Sequence, residues 1–441
     1  MRTGCLTKAA RMHFYVNQQS CLKVLFNQHY IYLLFIVRMI LLCDNEPVRT
    51  NQIIPEGNMK DHKTVSNHLK TIAAVSAASV LIVGICAFTR IDVYQNTMVK
   101  NAVSATAEVA LRETDAAAPK KLEDLNLWTD DAASKAKLTE YVEAVTKPGS
   151  PDFIPVEDRI AVFDMDGTIL CETDPYYFDF CLLKYRVLDD PEYKDKASTF
   201  ERTVAEQIKA YMDGDHSIKL SMTDHGKAVA MAFAGMTIDE FENYIDKFKS
   251  QPEPGYNGMT RGEAFYKPML QVIDYLQANG FKVYIVSGTD RFIVRGVAKD
   301  VVNIPKSQMI GSDETLVASG QGSQDGLDYT FTDKDKLVLG GDFIVKDLNM
   351  NKVTVIMQEI GSQPVLSFGN SSSDAAMAEY TTTNNKYRSL AFMLCCDDLV
   401  RENGNEEKAD QMKQLCSQYG WVPVSMKNDW KTIYGEGVTR K

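Results

Sequence analysis

The sequence predicts an α/β protein: a parallel sheet interrupted by an inserted, mainly helical domain, carried behind an N-terminal membrane or signal segment. Three observations carry this reading. Short apolar runs at Ile160–Phe163, Lys282–Val286 and Val365–Phe368 each stop abruptly at a polar turn, the pattern of buried parallel strands. About 100 residues of helical periodicity separate the first two runs, too many for a simple crossover. Thr71–Thr89 (TIAAVSAASVLIVGICAFT) carries no charge and lies in a polar neighbourhood.

Taken in order, residues 1–58 show no domain pattern; Tyr30–Cys43 is apolar but includes Arg38 and is short for a membrane span. Met59-Lys60-Asp61-His62-Lys63 and Lys70 make a basic lead-in to Thr71–Thr89. As a helix at ~1.5 Å per residue, that run spans about 28 Å. The layout predicts a signal peptide or signal anchor over 59–92, with Met59 as the start and 1–58 as a doubtful N-terminal extension. Lys60, Lys63 and Lys70 outweigh Arg90 and Lys100 beyond the span, which predicts an exported main part. The expected location is the bacterial cell membrane, facing outward, or the exterior if the segment is cleaved. Residues 93–125, rich in Ala, Thr, Asp, Glu and Lys, read as a linker.

The 441 residues allow two or three domains, and a net charge of −11 argues against a general nucleic-acid-binding surface. Nine cysteines without a C-x-x-C pair suit neither a dense disulfide scaffold nor a zinc site. A bridge from Cys416 to Cys395 or Cys396 stays open.

Residues 126–174 and 276–441 are expected to build the α/β core, and 175–275 the helical insert. Trp128 is expected to pack, and Asp130-Asp131 to cap a helix running to about Val145. In the insert, Phe200–Met212 and Asp239–Phe248 carry apolar residues at helical spacing. Met269–Ala278 reads as a helix that Gly280 ends. From Met309 to Leu348 the chain is polar, with short strands expected at Tyr329–Thr332 and Leu337–Leu339. Gly320-Gln321-Gly322-Ser323 lacks the strand-then-helix context of a nucleotide loop and reads as a loop without chemistry. Lys352 opens a helix over Val353–Ile360. A strand at Leu390–Leu394, a helix at Asn405–Gln418 and an extended piece at Trp421–Met426 close the alternation.

The chemistry gathers at strand ends. Asp164-Met165-Asp166-Gly167-Thr168 places two carboxylates one residue apart at the carboxyl end of the first strand, where open α/β sheets bind ligands. Ser287-Gly288-Thr289 follows the second strand with a hydroxyl and amides that can donate to a phosphate. Gly369-Asn370-Ser371-Ser372-Ser373-Asp374 follows another and opens a helix at Ala375.

With Lys352 between the last two, these stretches in this order resemble the motifs of the haloacid dehalogenase superfamily. The closest flavour is the phosphoserine-phosphatase-like branch, with a helical cap after the first motif. The resemblance covers about Trp128 to Tyr434 and implies a Rossmann-like core with 175–275 as its cap. It also implies Mg²⁺-dependent hydrolysis of a small phosphomonoester through an aspartyl phosphate. In that picture Asp164 is the nucleophile and Asp166 the general acid and base. Thr168, Ser287, Gly288 and Lys352 hold the phosphate, Lys346 being the nearest competitor of Lys352. Mg²⁺ is held by Asp164, the Asp166 carbonyl, and Asn370 or Asp374. The chain departs from the family at Asn370, where Asp is usual; an amide oxygen is an acceptable hard ligand without charge, so metal affinity should fall. Asp166 argues against a dehalogenase, because a leaving halide needs no proton. Glu172, Tyr176 and Tyr177 follow closely enough to line the entrance, and an acid beside aromatic rings suits an amino or quaternary ammonium group. The alternatives are a phosphotransferase of the same fold and an anchored binding module that has lost catalysis. The expected partners are the small phosphomonoester and, through the N-terminal segment, the membrane.

Overall fold

The computed structural model describes residues 125–172 and 176–441. The expected extension and signal segment, and nearly all of the linker, lie outside the described residues. Among the described residues no helix is long and apolar enough to cross a membrane.

α1 (Ala133–Thr146) buries Leu138, Tyr141, Val142 and Val145 at helical spacing. The cap expected at Asp130-Asp131 is not made. Ala132 holds the N-cap position without a side-chain bond, and Asp130 pairs with Lys135 and Lys431. Trp128 packs edge-on against Trp430, and its ring N–H donates to the Pro268 carbonyl. β1 (Ile160–Phe163) is buried throughout, as an apolar run covered on both faces should be.

The insert supplies α2 (Phe178–Lys184), α3 (Thr199–Met212), α4 (Met222–Phe233) and α5 (Ile238–Lys249). Ser198 with Glu201, and Thr237 with Glu240, form capping boxes that start α3 and α5. β2 (Tyr256–Asn257) then leads to α6 (Lys267–Ala278), which packs on β3 (Lys282–Asp290) and buries Met269, Val272, Ile273 and Leu276. The chain continues through α7 (Arg291–Ala298), β4 (Met309–Ala318), β5 (Leu337–Val345), α8 (Met350–Val355) and β6 (Leu366–Gly369). It closes with α9 (Ala375–Thr382), β7 (Leu390–Cys395), α10 (Glu406–Tyr419), β8 (Val422–Ser425) and β9 (Thr439–Arg440).

Seven strands lie in the order β5-β4-β3-β1-β6-β7-β8, parallel except for β5 against β4. The chain winds outward from β1 one way through β3 and β4, then the other way through β6, β7 and β8. The winding reverses at β1, so the carboxyl ends of β3, β1 and β6 share the crevice where such sheets bind ligands.

Residues 309–348 differ most from expectation. β4 and β5 form a long antiparallel pair, whereas Tyr329–Thr332 lies in their connection, its Tyr329 and Thr332 hydroxyls donating to Asp335. The pair leans on the insert. The Phe343 ring lies against Gly226 of α4, where any Cβ would collide with it. Gly235 N–H donates to the Leu339 carbonyl at 2.8 Å, and Leu339 N–H to the Met236 carbonyl at 2.9 Å. Cys395, Cys396 and Cys416 are thiols, with no bridge among them.

Behind this contact lie buried acids. Neither carboxylate oxygen of Glu314 or Asp347 has a hydrogen-bond partner. Burial, then Asp290 and Asp313, pushes the Glu314 carboxyl up to about 9. Burial, then Asp313, pushes Asp347 to about 7. Burial also pushes Asp290 to about 6, against two backbone amides that oppose it. Each group binds its proton more tightly folded than unfolded, so its stabilisation is complete below the ordinary carboxylate range, ~4, and lost as pH rises through the folded values. The melting temperature should be highest near about pH 5 and fall toward about pH 9, and Glu314→Gln should flatten that fall. A melting temperature that climbs over this window contradicts the assignment.

Candidate active site

The first motif leaves β1 as part of the sheet: Asp164 N–H donates to the Phe368 carbonyl of β6 at 2.9 Å. Gly167 then turns the chain with φ of +76°, a conformation glycine takes without strain. A side chain at 167 would strike both Asn370 and Glu172. Asp164 and Asp166 thus reach the floor of a cavity of about 470 Å³.

Lys352, on α8, is completely buried. Its ammonium binds Asp164 Oδ1, Asp374 Oδ1 (2.7 Å) and the Val286 carbonyl (2.8 Å). Burial works to lower its pKa, but the two carboxylates outweigh burial and hold it above the ordinary lysine range. Burial and then Asp374 push Asp164 up to about 7, and Lys352 opposes them. Lys346, the competitor, goes elsewhere: its Nζ stands 3.4 Å from Asp179 Oδ2 and 3.2 Å from His225 Nδ1.

Asp166 Oδ2 accepts from the Thr289 hydroxyl at 2.8 Å and, at 3.5 Å, from Ser287. Asp166 Oδ1 is buried without a partner. Burial, then Asp179 and Asp164, holds this carboxyl well above the ordinary range. Asp179 on α2 lines the same cavity, so the insert brings a second buried acid near Asp166.

Asp374 commits both oxygens. Oδ1 takes Lys352, and Oδ2 takes the Asn370 and Ser371 amides, each at 3.1 Å, and the Ser371 hydroxyl. Asn370 faces the cavity; its Oδ1 accepts from Thr168 at 3.2 Å and its Nδ2 donates to Glu172 Oε2 at 3.0 Å.

The structure therefore brings every sequence-predicted site residue to one place, in two layers. Asp164, Asp166, Glu172, Tyr176, Tyr177, Gly288 and Asn370 line the cavity. Thr168, Ser287, Lys352 and Asp374 are buried behind that wall. The Thr168 hydroxyl, expected on phosphate, is committed to Asn370. Glu172, expected to await a cationic group at the entrance, has its carboxylate on Asn370.

Sequence reasoning missed Thr289, Asp179 and Lys408 and weighed Lys346 only as the competitor of Lys352; all four line the cavity. Thr289 was within view, two residues after Ser287 and on the same side of an extended strand.

Among the described residues no three His, Cys, Asp or Glu side chains are grouped to hold a metal ion. A mixed oxygen set does fit a hard dication. The Asp164 carboxylate and Asn370 Oδ1 come from the ends of adjacent strands β1 and β6 onto one cavity floor.

Residues 161–379 match the model of the haloacid dehalogenase-like hydrolase family. No curated protein matches the chain. Among solved structures, cytosolic 5'-nucleotidase IIIB bound to cytidine is 14% identical over 70% of this chain and 93% of that chain, with a TM-score of 0.41. A phosphoserine phosphohydrolase-like protein from Francisella tularensis is 14% identical over 59% and 99%, with a TM-score of 0.31. A probable phosphoserine phosphatase from Vibrio cholerae is 12% identical over 60% and 69%, with a TM-score of 0.32.

Proposed function

Because residues 161–379 are a haloacid dehalogenase-like hydrolase domain, we propose that the protein hydrolyses small phosphomonoesters through an aspartyl phosphate on Asp164. The observation that carries this reading is the pairing at the cavity floor: Asp164 fixed by a buried lysine, and Asp166 beside it held by Thr289.

Asp164 attacks phosphorus in line, and the bond from phosphorus to the ester oxygen breaks. Asp166 gives the leaving oxygen its proton. The Thr289 hydroxyl takes Oδ2, so the proton belongs on Oδ1. In the second half, the Asp166 carboxylate takes a proton from water as that water attacks phosphorus, releasing phosphate and restoring Asp164. Lys352 holds the Asp164 carboxylate in one orientation throughout. Mg²⁺ bound by Asp164, the Asp166 carbonyl and Asn370 would offset the charge of the phosphate beside the carboxylate.

Asp166→Asn should lower kcat/KM for an alkyl phosphate by about 10²–10⁴-fold. For p-nitrophenyl phosphate, whose leaving group needs no proton, the loss should be much smaller. Equal losses on both esters would remove Asp166 from the acid role.

We also propose that the catalytic part is exported behind the 59–92 segment, a reading supported by its charge asymmetry. The deciding experiment is a phosphomonoester panel on the full chain, with Mg²⁺ and with EDTA. Release of phosphate from none of the esters in Mg²⁺ would overturn the reading.

A further inference from the structure

Around Asn370 the cavity floor offers a dication few direct carboxylate ligands. Asp164 and Asp374 share one lysine, and both Asp374 oxygens are committed away from the cavity. Asn370, which does face the cavity, is neutral. A further carboxylate is one hydrogen bond away from that amide, on Glu172, 198 residues distant in the chain and 3.0 Å from Asn370 Nδ2.

That bond also settles the amide's orientation. With Nδ2 turned to Glu172, Oδ1 points the other way, where the Thr168 hydroxyl donates to one of its lone pairs and leaves the second. The pair is built into the fold independently of this bond. Gly167, at positive φ, brings its backbone against both side chains, and any Cβ there would displace them.

We propose that Glu172 is a positioning residue of the metal site: it fixes the Asn370 amide with one Oδ1 lone pair open to a metal ion and brings a carboxylate beside the position where an amide at 370 lacks one. This deepens the metal-dependent reading above and rests on it. It also separates Glu172 from the role of receiving a cationic substrate group.

The test uses the full chain and Mn²⁺ as the probe, with free Mn²⁺ read by electron paramagnetic resonance. Glu172→Gln keeps an acceptor for Asn370 and removes only the charge. It should weaken Mn²⁺ binding by about 10–100-fold, the range for outer partners of metal ligands. The double variant E172Q/N370D, which moves the carboxylate from 172 to 370, should recover affinity to within roughly threefold of the native protein. Asn370→Asp alone should bind Mn²⁺ more tightly than the native chain while melting at a lower temperature without metal, because it sets two carboxylates in contact. That arm stands even where E172Q fails to fold. Unchanged affinity in E172Q, or a loss that N370D does not recover, overturns the inference and leaves the hydrolase reading intact. A native chain that binds no Mn²⁺ overturns the metal reading, and this inference with it.

Discussion

Asp164→Asn should abolish phosphate release, by roughly 10⁵-fold or more, while leaving the fold in place. No second group stands ready to replace it as nucleophile: burial and acidic neighbours disfavour the Asp166 carboxylate, and Asp374 is committed to Lys352 and the turn amides. The fold should tolerate the change because Asn keeps the shape and still offers an oxygen to the Lys352 ammonium. The native carboxylate is itself disfavoured by burial, which pushes it up to about 7, so a neutral amide is no harder to bury. Steady-state kinetics on an alkyl phosphate and a thermal melt check both halves. Turnover within tenfold of the native protein would displace Asp164 as the nucleophile.

Lys352→Met should be the most destabilising single change at the site. The lysine is completely buried, and its removal leaves the Asp164 and Asp374 carboxylates facing each other without a cation. Breaking a buried ion pair from one side costs about 3–5 kcal/mol, which for a domain of this size lowers the melting temperature by roughly 10 °C. The pH dependence has a definite sign. Without the ammonium the Asp164 carboxyl, already pushed up to about 7, rises further, so the variant should regain stability as pH falls toward about 5 and lose it as pH rises. Adding Asp374→Asn should restore part of the melting temperature by removing one of the two uncompensated charges. It should not restore turnover, since the Asp164 carboxylate would still lack its anchor. A single variant that melts with the native protein at neutral pH would mean that the ion pair contributes nothing to the fold.

Much of this site was legible because its chemistry sits where apolar runs stop. Asp164 and Asn370 each follow a buried strand and Ser287 lies in the last part of another, and a strand that fixes its own end also fixes what comes next. Lys352 could be chosen over Lys346 only by position, and the ion pairs with Asp164 and Asp374 supply the physical reason. What stayed hidden depends on contacts between distant segments. Asp179 gains its place through Lys346, from another element. β4 was hidden because its exposed and buried residues alternate only in part and its polar side chains are taken up by distant segments, Asp313 by Arg291 and Ser312 by the Gly288 carbonyl. Asp130 looked like a helix cap, a local preference that ion pairs with Lys135 and Lys431 override.

The lean of β5 on α4 has a consequence for how the molecule comes apart. Phe343 against Gly226, with the two amide bonds joining 235–236 to Leu339, makes an edge strand of the sheet and a helix of the insert share one set of contacts. The insert cannot melt first and leave the sheet standing, because its loss would uncover Phe343 and two backbone groups of that strand. The two lobes should therefore unfold together, in one transition of a thermal melt.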